Sequence, residues 1–216
     1  MSEKFHEEIK KLKYLTAEMG HFSIHMFSDS LKALKNLDEE LARDVYSRKE
    51  KLSEYNKKID DEVIRLLSLY QPVADDLRTI ACINQLNTSF YRVGRNAKEA
   101  SNFIELMPQL SHLGIMNTLC HMAECVVSML SDSLSAFEKN NAEILNTFAE
   151  REEDIDNLQK TVFRESITYM MEDNRTISTC IEYVMVSRYL ERMGDHACLM
   201  GEKIYFMIKG KTVDIN

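Results

Sequence analysis

The sequence predicts an all-α protein: two tandem, pseudo-symmetric three-helix bundles made from six long helices. Three observations predict it. The 216 residues contain two prolines and six glycines, few for a hairpin-rich sheet, and the period-2 alternation of half-buried strands is missing. Apolar residues recur at helical spacing instead. Met116, Leu119, Ala123, Val126, Leu130, Leu134 and Phe137 fall on one face, and Leu190, Met193, Ala197, Met200 and Ile204 form a similar stripe. The chain also repeats itself. Asp29-Ser30-Leu31 returns as Asp132-Ser133-Leu134, and Tyr91-Arg92-Val93-Gly94-Arg95 returns as Glu191-Arg192-Met193-Gly194-Asp195. A fixed period signals stacked copies of one supersecondary unit.

The breaks divide each copy into three. The first helix runs from about Lys4 to Asn36. Asn36-Leu37-Asp38-Glu39-Glu40 then supplies a turn, an N-cap and an acidic first turn for the second. Gln71-Pro72 opens the third, because proline fits the first helical turn and no deeper. Met107-Pro108 ends it, so residues 1–107 are expected to form the first bundle and 108–216 the second. The fourth helix follows; Asn140-Asn141-Ala142-Glu143 caps the fifth, and Asp173-Asn174 caps the sixth. The sixth runs to about Lys209, with Gly210 as its C′ residue. Thirty-residue helices are about 45 Å long, and short connections make consecutive ones antiparallel neighbours.

Composition excludes several functions. A formal net charge of −8 argues against nucleic acid, which needs a clustered basic face; Lys10, Lys11 and Lys13 are flanked by Glu7 and Glu8. The opening MSEKFHEEIK has no apolar h-region, so a secretory signal is not expected. No apolar run reaches the length of a membrane span. The five cysteines, Cys82, Cys120, Cys125, Cys180 and Cys198, form no CxxC and read as reduced, mostly buried thiols of a cytosolic protein. Thirteen methionines suit gap-filling between helices; Met and Phe left outside long bundles point to a homodimer.

The chemistry lies in carboxylate pairs. Glu152 and Asp156 are spaced i,i+4, as are Glu191 and Asp195, so each pair shares a helix face. Antiparallel packing of the fifth and sixth helices would gather all four. Such a set must be neutralised by protons, by Arg or Lys, or by a cation. Hard cations suit it. Gly194 costs about 1 kcal/mol of helix stability relative to alanine, which a close approach of a neighbouring helix or a metal would explain. The alternative is a solvated face whose acids pair with Arg151, Arg188 and Arg192. His21 and His25 share a face without a third ligand, and Cys125, one turn from His121, is expected to line the core. His196 is either a partner to the acids or a surface residue. No nucleophile elbow, phosphate loop or Cys–His arrangement occurs, so an enzyme is not expected.

Three stretches carry a resemblance. Pro72-Val73-Ala74-Asp75-Asp76-Leu77-Arg78 is similar to PvAxDLR, Glu191 to Ala197 to ERIGDHA, with Glu202 as the glutamate that closes it, and Glu152 to Asp156 to DEEID. In that order, on those helices, the chain resembles the PhoU family of phosphate-transport regulators. The resemblance implies two three-helix bundles whose E(D)xxxD motifs hold mono- or multinuclear clusters of iron or another metal such as Mn, Mg or Zn. Here only the second bundle carries the matching set, Glu152, Asp156, Glu191 and Asp195. The first has Lys49, Ser53, Tyr91 and Arg95 instead, and Leu199 replaces the family's asparagine. The resemblance further implies a cytoplasmic adaptor between the ATPase of a phosphate ABC transporter and a sensor histidine kinase, restraining both when phosphate is plentiful. It implies no nucleic acid and no direct membrane insertion. Two alternatives remain at this level. One is a ferritin-like di-metal iron handler, for which Glu18-Met19-Gly20-His21 supplies an ExxH in the half without the acid cluster; the other is a metal-free helical scaffold.

Overall fold

Helix α1 spans Glu3–Asn36, α2 Glu39–Ser47, α3 Lys49–Tyr70, α4 Ala74–Leu106, α5 Ile115–Lys139, α6 Phe148–Glu172 and α7 Ile177–Lys209. The computed structural model describes residues 3–106 and 114–215, and among these there is no strand. The expected helix end at Met107-Pro108, and with it the boundary between the halves, lies outside the described residues.

Local chemistry sets the ends. Asp38 caps α2, its carboxylate accepting from the Leu41 amide at 3.0 Å. Asn140 turns left-handed (φ 52°) to end α5. Asn141 then caps a 3-10 turn, Ala142–Leu145, before α6 starts at Phe148. Asp173 caps a second such turn, Asn174–Thr176, which leads into α7. Gly210 closes α7 at φ 66°, its amide donating to the Phe206 carbonyl at 2.9 Å. Pro72 differs from expectation: it sits in the connector between two helices, Gln71 ends α3 in the left-handed region, and α4 begins at Ala74.

The six long helices are present, the second of them broken at Arg48 into α2 and α3. The Arg48 guanidinium reaches Asp29 on α1 at 2.8 Å and also holds Asp44. In the other copy Arg151, 103 residues on, reaches Asp132 on α5 at 2.7 Å, and Asp132 lies 103 residues after Asp29. The repeat is therefore a repeat of ion pairs as well as of helices. Burial alone would push the Asp29 carboxyl up, but hydrogen bonds from Arg48 and Lys32 outweigh it and hold it below the usual carboxylate range.

α1 packs on α3 and α4, and α5 on α6 and α7; α1 also packs on α5, and α4 on α7, joining the halves. The buried apolar residues form one cluster across both copies, and both predicted stripes are buried in it. Gly20 on α1 is closely flanked by α4 of its own half and α5 of the other. A Cβ there would lie 2.8 Å from the Phe90 ring and 2.9 Å from a Leu134 methyl, and both side chains are buried. Gly20→Ala should therefore lower stability by about 1–2 kcal/mol in urea titrations, overpacking exceeding the roughly 1 kcal/mol gained in helix propensity.

The burial of the cysteines matches the sequence reading. Cys82, Cys180 and Cys198 are buried, Cys120 and Cys125 half-buried, and all are unpaired thiols. Burial pushes the Cys82 and Cys198 thiols up to about 12, which makes them unreactive.

Candidate metal centre

α6 and α7 meet closely because Gly194 has no side chain. A Cβ at Gly194 would lie 3.1 Å from Ile155 Cδ1 on α6. The first copy repeats this contact: a Cβ at Gly94 would lie 2.5 Å from Leu52 Cδ2. Buried Ile155 lies between Glu152 and Asp156, and buried Gly194 between Glu191 and Asp195. The contact thus sets the two carboxylate pairs side by side, all four residues half-buried.

Their electrostatics show that they feel one another. Burial raises the Glu152 carboxyl above its ordinary range, and Asp156, Asp195 and Glu153 raise it further. Glu191 is raised by burial, then by Asp195 and Asp156, with Arg192 and Arg188 opposing. Asp195 is raised by burial and Asp156, with His196 and Arg192 opposing. Lys160 lies 3.9 Å from Asp156. Arg151, by contrast, gives the cluster no ion pair: it is turned to Asp132 and to Ser128 Oγ, 2.7 Å away. The 103-residue offset shared by Arg48, Arg151, Asp29 and Asp132 was the signal in the sequence for this pairing.

The donor chemistry fits a hard cation: carboxylate oxygens only, mutually repelling, with little internal neutralisation. Convergence is incomplete. Among the described residues no three His, Cys, Asp or Glu side chains are gathered as a ready ligand set. Like charges favour side-chain conformers that keep them apart, so a cation would have to draw the carboxylates inward.

The matching positions of the first copy form something else. Tyr91 is hydrogen-bonded to Ser53 and Arg95, and these two bonds lower its phenol below the ordinary tyrosine value. Lys49 lies over the Tyr46 ring, 4.4 Å from its centroid. Acid positions have become a neutral and cationic network.

The remaining candidates separate from the cluster. His21 Nε2 meets Glu138 Oε1 at 3.0 Å, and His21 and His25 are exposed on α1. His121 is exposed and Cys125 packs against the core. His196 lines a cleft of about 450 Å³ between α4 and α7 with Arg92, Arg95, Arg192 and Leu199. Burial and then Arg92 hold its imidazole below the ordinary value. Glu202, which closes the motif in sequence, accepts the Ile215 amide at 3.2 Å and ties down the C-terminal tail.

With this geometry in view, the sequence matches the PhoU domain model twice, over residues 16–104 and 119–204. The chain belongs to the PhoU family. Among its relatives is the phosphate-specific transport system accessory protein PhoU homolog of Clostridium acetobutylicum, 30% identical over 213 residues, covering 98% of this chain and 97% of that one. The homolog of Rhizobium meliloti is 34% identical over 210 residues, covering 95% and 87%. Among solved structures, PhoU from Pseudomonas aeruginosa superposes with a TM-score of 0.91 at 29% identity, covering 96% of this chain and all of that one. The two matched segments of this PhoU-family chain contain both members of each repeated pair, Asp29 with Asp132 and Gly94 with Gly194.

Proposed function

We propose that this protein is a cytoplasmic regulator of phosphate uptake and phosphate-starvation signalling. It contacts the ATPase of a phosphate ABC transporter and a sensor histidine kinase, and acts through surfaces and a carboxylate-held metal in its second half. The observation that carries the reading is the double family match, with relatives along nearly the whole chain named as accessory proteins of phosphate-specific transport. Further support comes from the acid cluster on α6 and α7. No helix among the described residues is long and apolar enough to cross a membrane, so contact with a transporter would run through protein surfaces. Residues 1–107 and 108–216 serve as its two units, working as a homodimer without nucleic acid.

In the proposed centre Glu152, Asp156, Glu191 and Asp195 hold the ion. A bound iron, manganese, magnesium or zinc would neutralise them and cross-link α6 to α7. Gly194 keeps the helices close enough for both pairs to reach one ion or cluster. Lys160 and Arg192 lie at its margins.

Deleting the gene should leave phosphate-starvation genes expressed in phosphate-rich medium, and the wild-type chain should restore repression. His21→Ala and His25→Ala should restore it equally, because both side chains lie apart from the cluster. Silence of those genes in the deletion strain would refute the regulatory reading.

A further inference from the structure

The α6–α7 hairpin carries an apolar stripe that, among the described residues, is left exposed. Phe163, Ile167 and Met171 lie on α6 at i, i+4 and i+8, and Ile177, Ile181 and Met185 repeat that spacing on α7. Their exposure runs from 39% at Met185 to 83% at Met171. The core-facing residues of the same stretches, among them Val162, Ser166, Cys180, Tyr183 and Val186, are buried elsewhere on each helix. Contiguous exposed apolar surface of this kind marks an interaction site.

The repeat supplies an internal control. The equivalent positions of the first copy are Asp60, Ile64, Ser68, Leu77, Ala81 and Gln85. Only Ile64 and Leu77 remain large and apolar, and Asp60 is instead tied to Asn87 Nδ2 at 2.7 Å. The fold is built from this unit without the stripe, so packing does not demand it.

Charge and size indicate what covers it. At the end of the apolar block away from the hairpin turn, Lys160, Arg164 and Arg188 line a cleft of about 490 Å³ with Phe163 and Val184. Glu172 and Glu182 flank the apolar block at Met171 and Ile181, and Asp156, one turn from Lys160, lies 3.9 Å from it. Phe163 to Met171 spans about 12 Å, the length of about two turns of a docked helix. We infer that the outer groove of α6 and α7 docks an acidic amphipathic helix of a partner protein. Apolar side chains at i, i+3 or i+4 would seat between Phe163 and Ile181, and carboxylates one turn on would meet Lys160, Arg164 and Arg188. The inference rests on the reading of the protein as an accessory that works by contact, and it names where one contact is made.

A binding titration tests it without any phosphate-dependent readout. The probe is a fluorescent 18-residue helical peptide with leucine at helical i, i+3 and i+4 spacing and glutamate between; a matched peptide has lysine for glutamate. The purified full chain should bind the acidic peptide at least tenfold more tightly than the basic one at low salt. Met171→Glu with Ile181→Glu should weaken binding tenfold or more while leaving the thermal melt unchanged, since both side chains are exposed. Ile64→Glu in the first copy should change nothing. Equal binding of the two peptides, or none, would overturn the proposal. So would dissociation of a dimer by the double variant in sedimentation, which would make a second copy the occupant. Loss of binding to anionic phospholipid vesicles in that variant would instead make the stripe a membrane contact and overturn it as well. Failure of the peptide to bind would leave the gene-expression test of regulation standing on its own.

Discussion

Protein carrying both Glu191→Ala and Asp195→Ala should lose most of its bound metal when purified protein is assayed by elemental analysis. Two of the four carboxylates vanish, and the remaining pair, Glu152 and Asp156, sits on a single helix with Lys160 3.9 Å from Asp156. One helix face then offers two carboxylates where hard cations take six or more oxygen ligands, water included. Replacing Tyr91 and Arg95 by alanine should leave the metal content unchanged, because those side chains serve a hydrogen-bond network with Ser53. Retention of full metal content by the Glu191, Asp195 variant would show that the ion sits elsewhere.

Chelation should cost the native protein a large part of its stability at neutral pH. A ligand that binds only the folded chain stabilises it by about 2.7 kcal/mol when its concentration is a hundred times Kd. For a chain of this size that corresponds to a fall in Tm of about 5–10 °C on removal. The loss should be smaller in mild acid. Glu152, Glu191 and Asp195 have raised folded-state values, so the folded metal-free chain holds more protons than the unfolded one. Its stability therefore rises as pH falls from the raised folded values toward the ordinary ones of 4.5 for Glu and 3.8 for Asp. The gain is at most about 1 kcal/mol per group, because half-exposed carboxylates are screened by solvent. Melting curves before and after chelation at pH 5 and pH 7 measure both effects. Identical shifts at the two values would show that the four acids do not share the ion.

The sequence made much of this legible through its repeat. The 3.6 periodicity located the long helices, and Asp38, Asn140, Asp173 and Gly210 marked ends that the structure places within a few residues. Gly194 was legible as a costly glycine, and Ile155 is the neighbour that explains it. The break at Arg48 was not legible, because Glu39 to Ser47 contains no helix breaker. It accompanies the reach of Arg48 to Asp29, a contact between helices that no local pattern records. The α6–α7 stripe stayed hidden for a related reason. Phe163, Ile167 and Met171 have the same spacing as core residues, and only packing decides which apolar face is covered. The carboxylate pairs were assigned to faces by spacing, but how closely their oxygens converge depends on side-chain conformers and mutual repulsion.

The metal centre proposed for the second half has no counterpart in the first, where Lys49, Ser53, Tyr91 and Arg95 stand at the matching positions. Anomalous X-ray scattering from crystals of the full chain grown with manganese or iron tests it most directly. The account predicts scattering peaks between α6 and α7, bounded by Glu152, Asp156, Glu191 and Asp195, and none at Ser53, Tyr91 and Arg95. A peak in the first half, or peaks only at sites away from those four carboxylates, would contradict it.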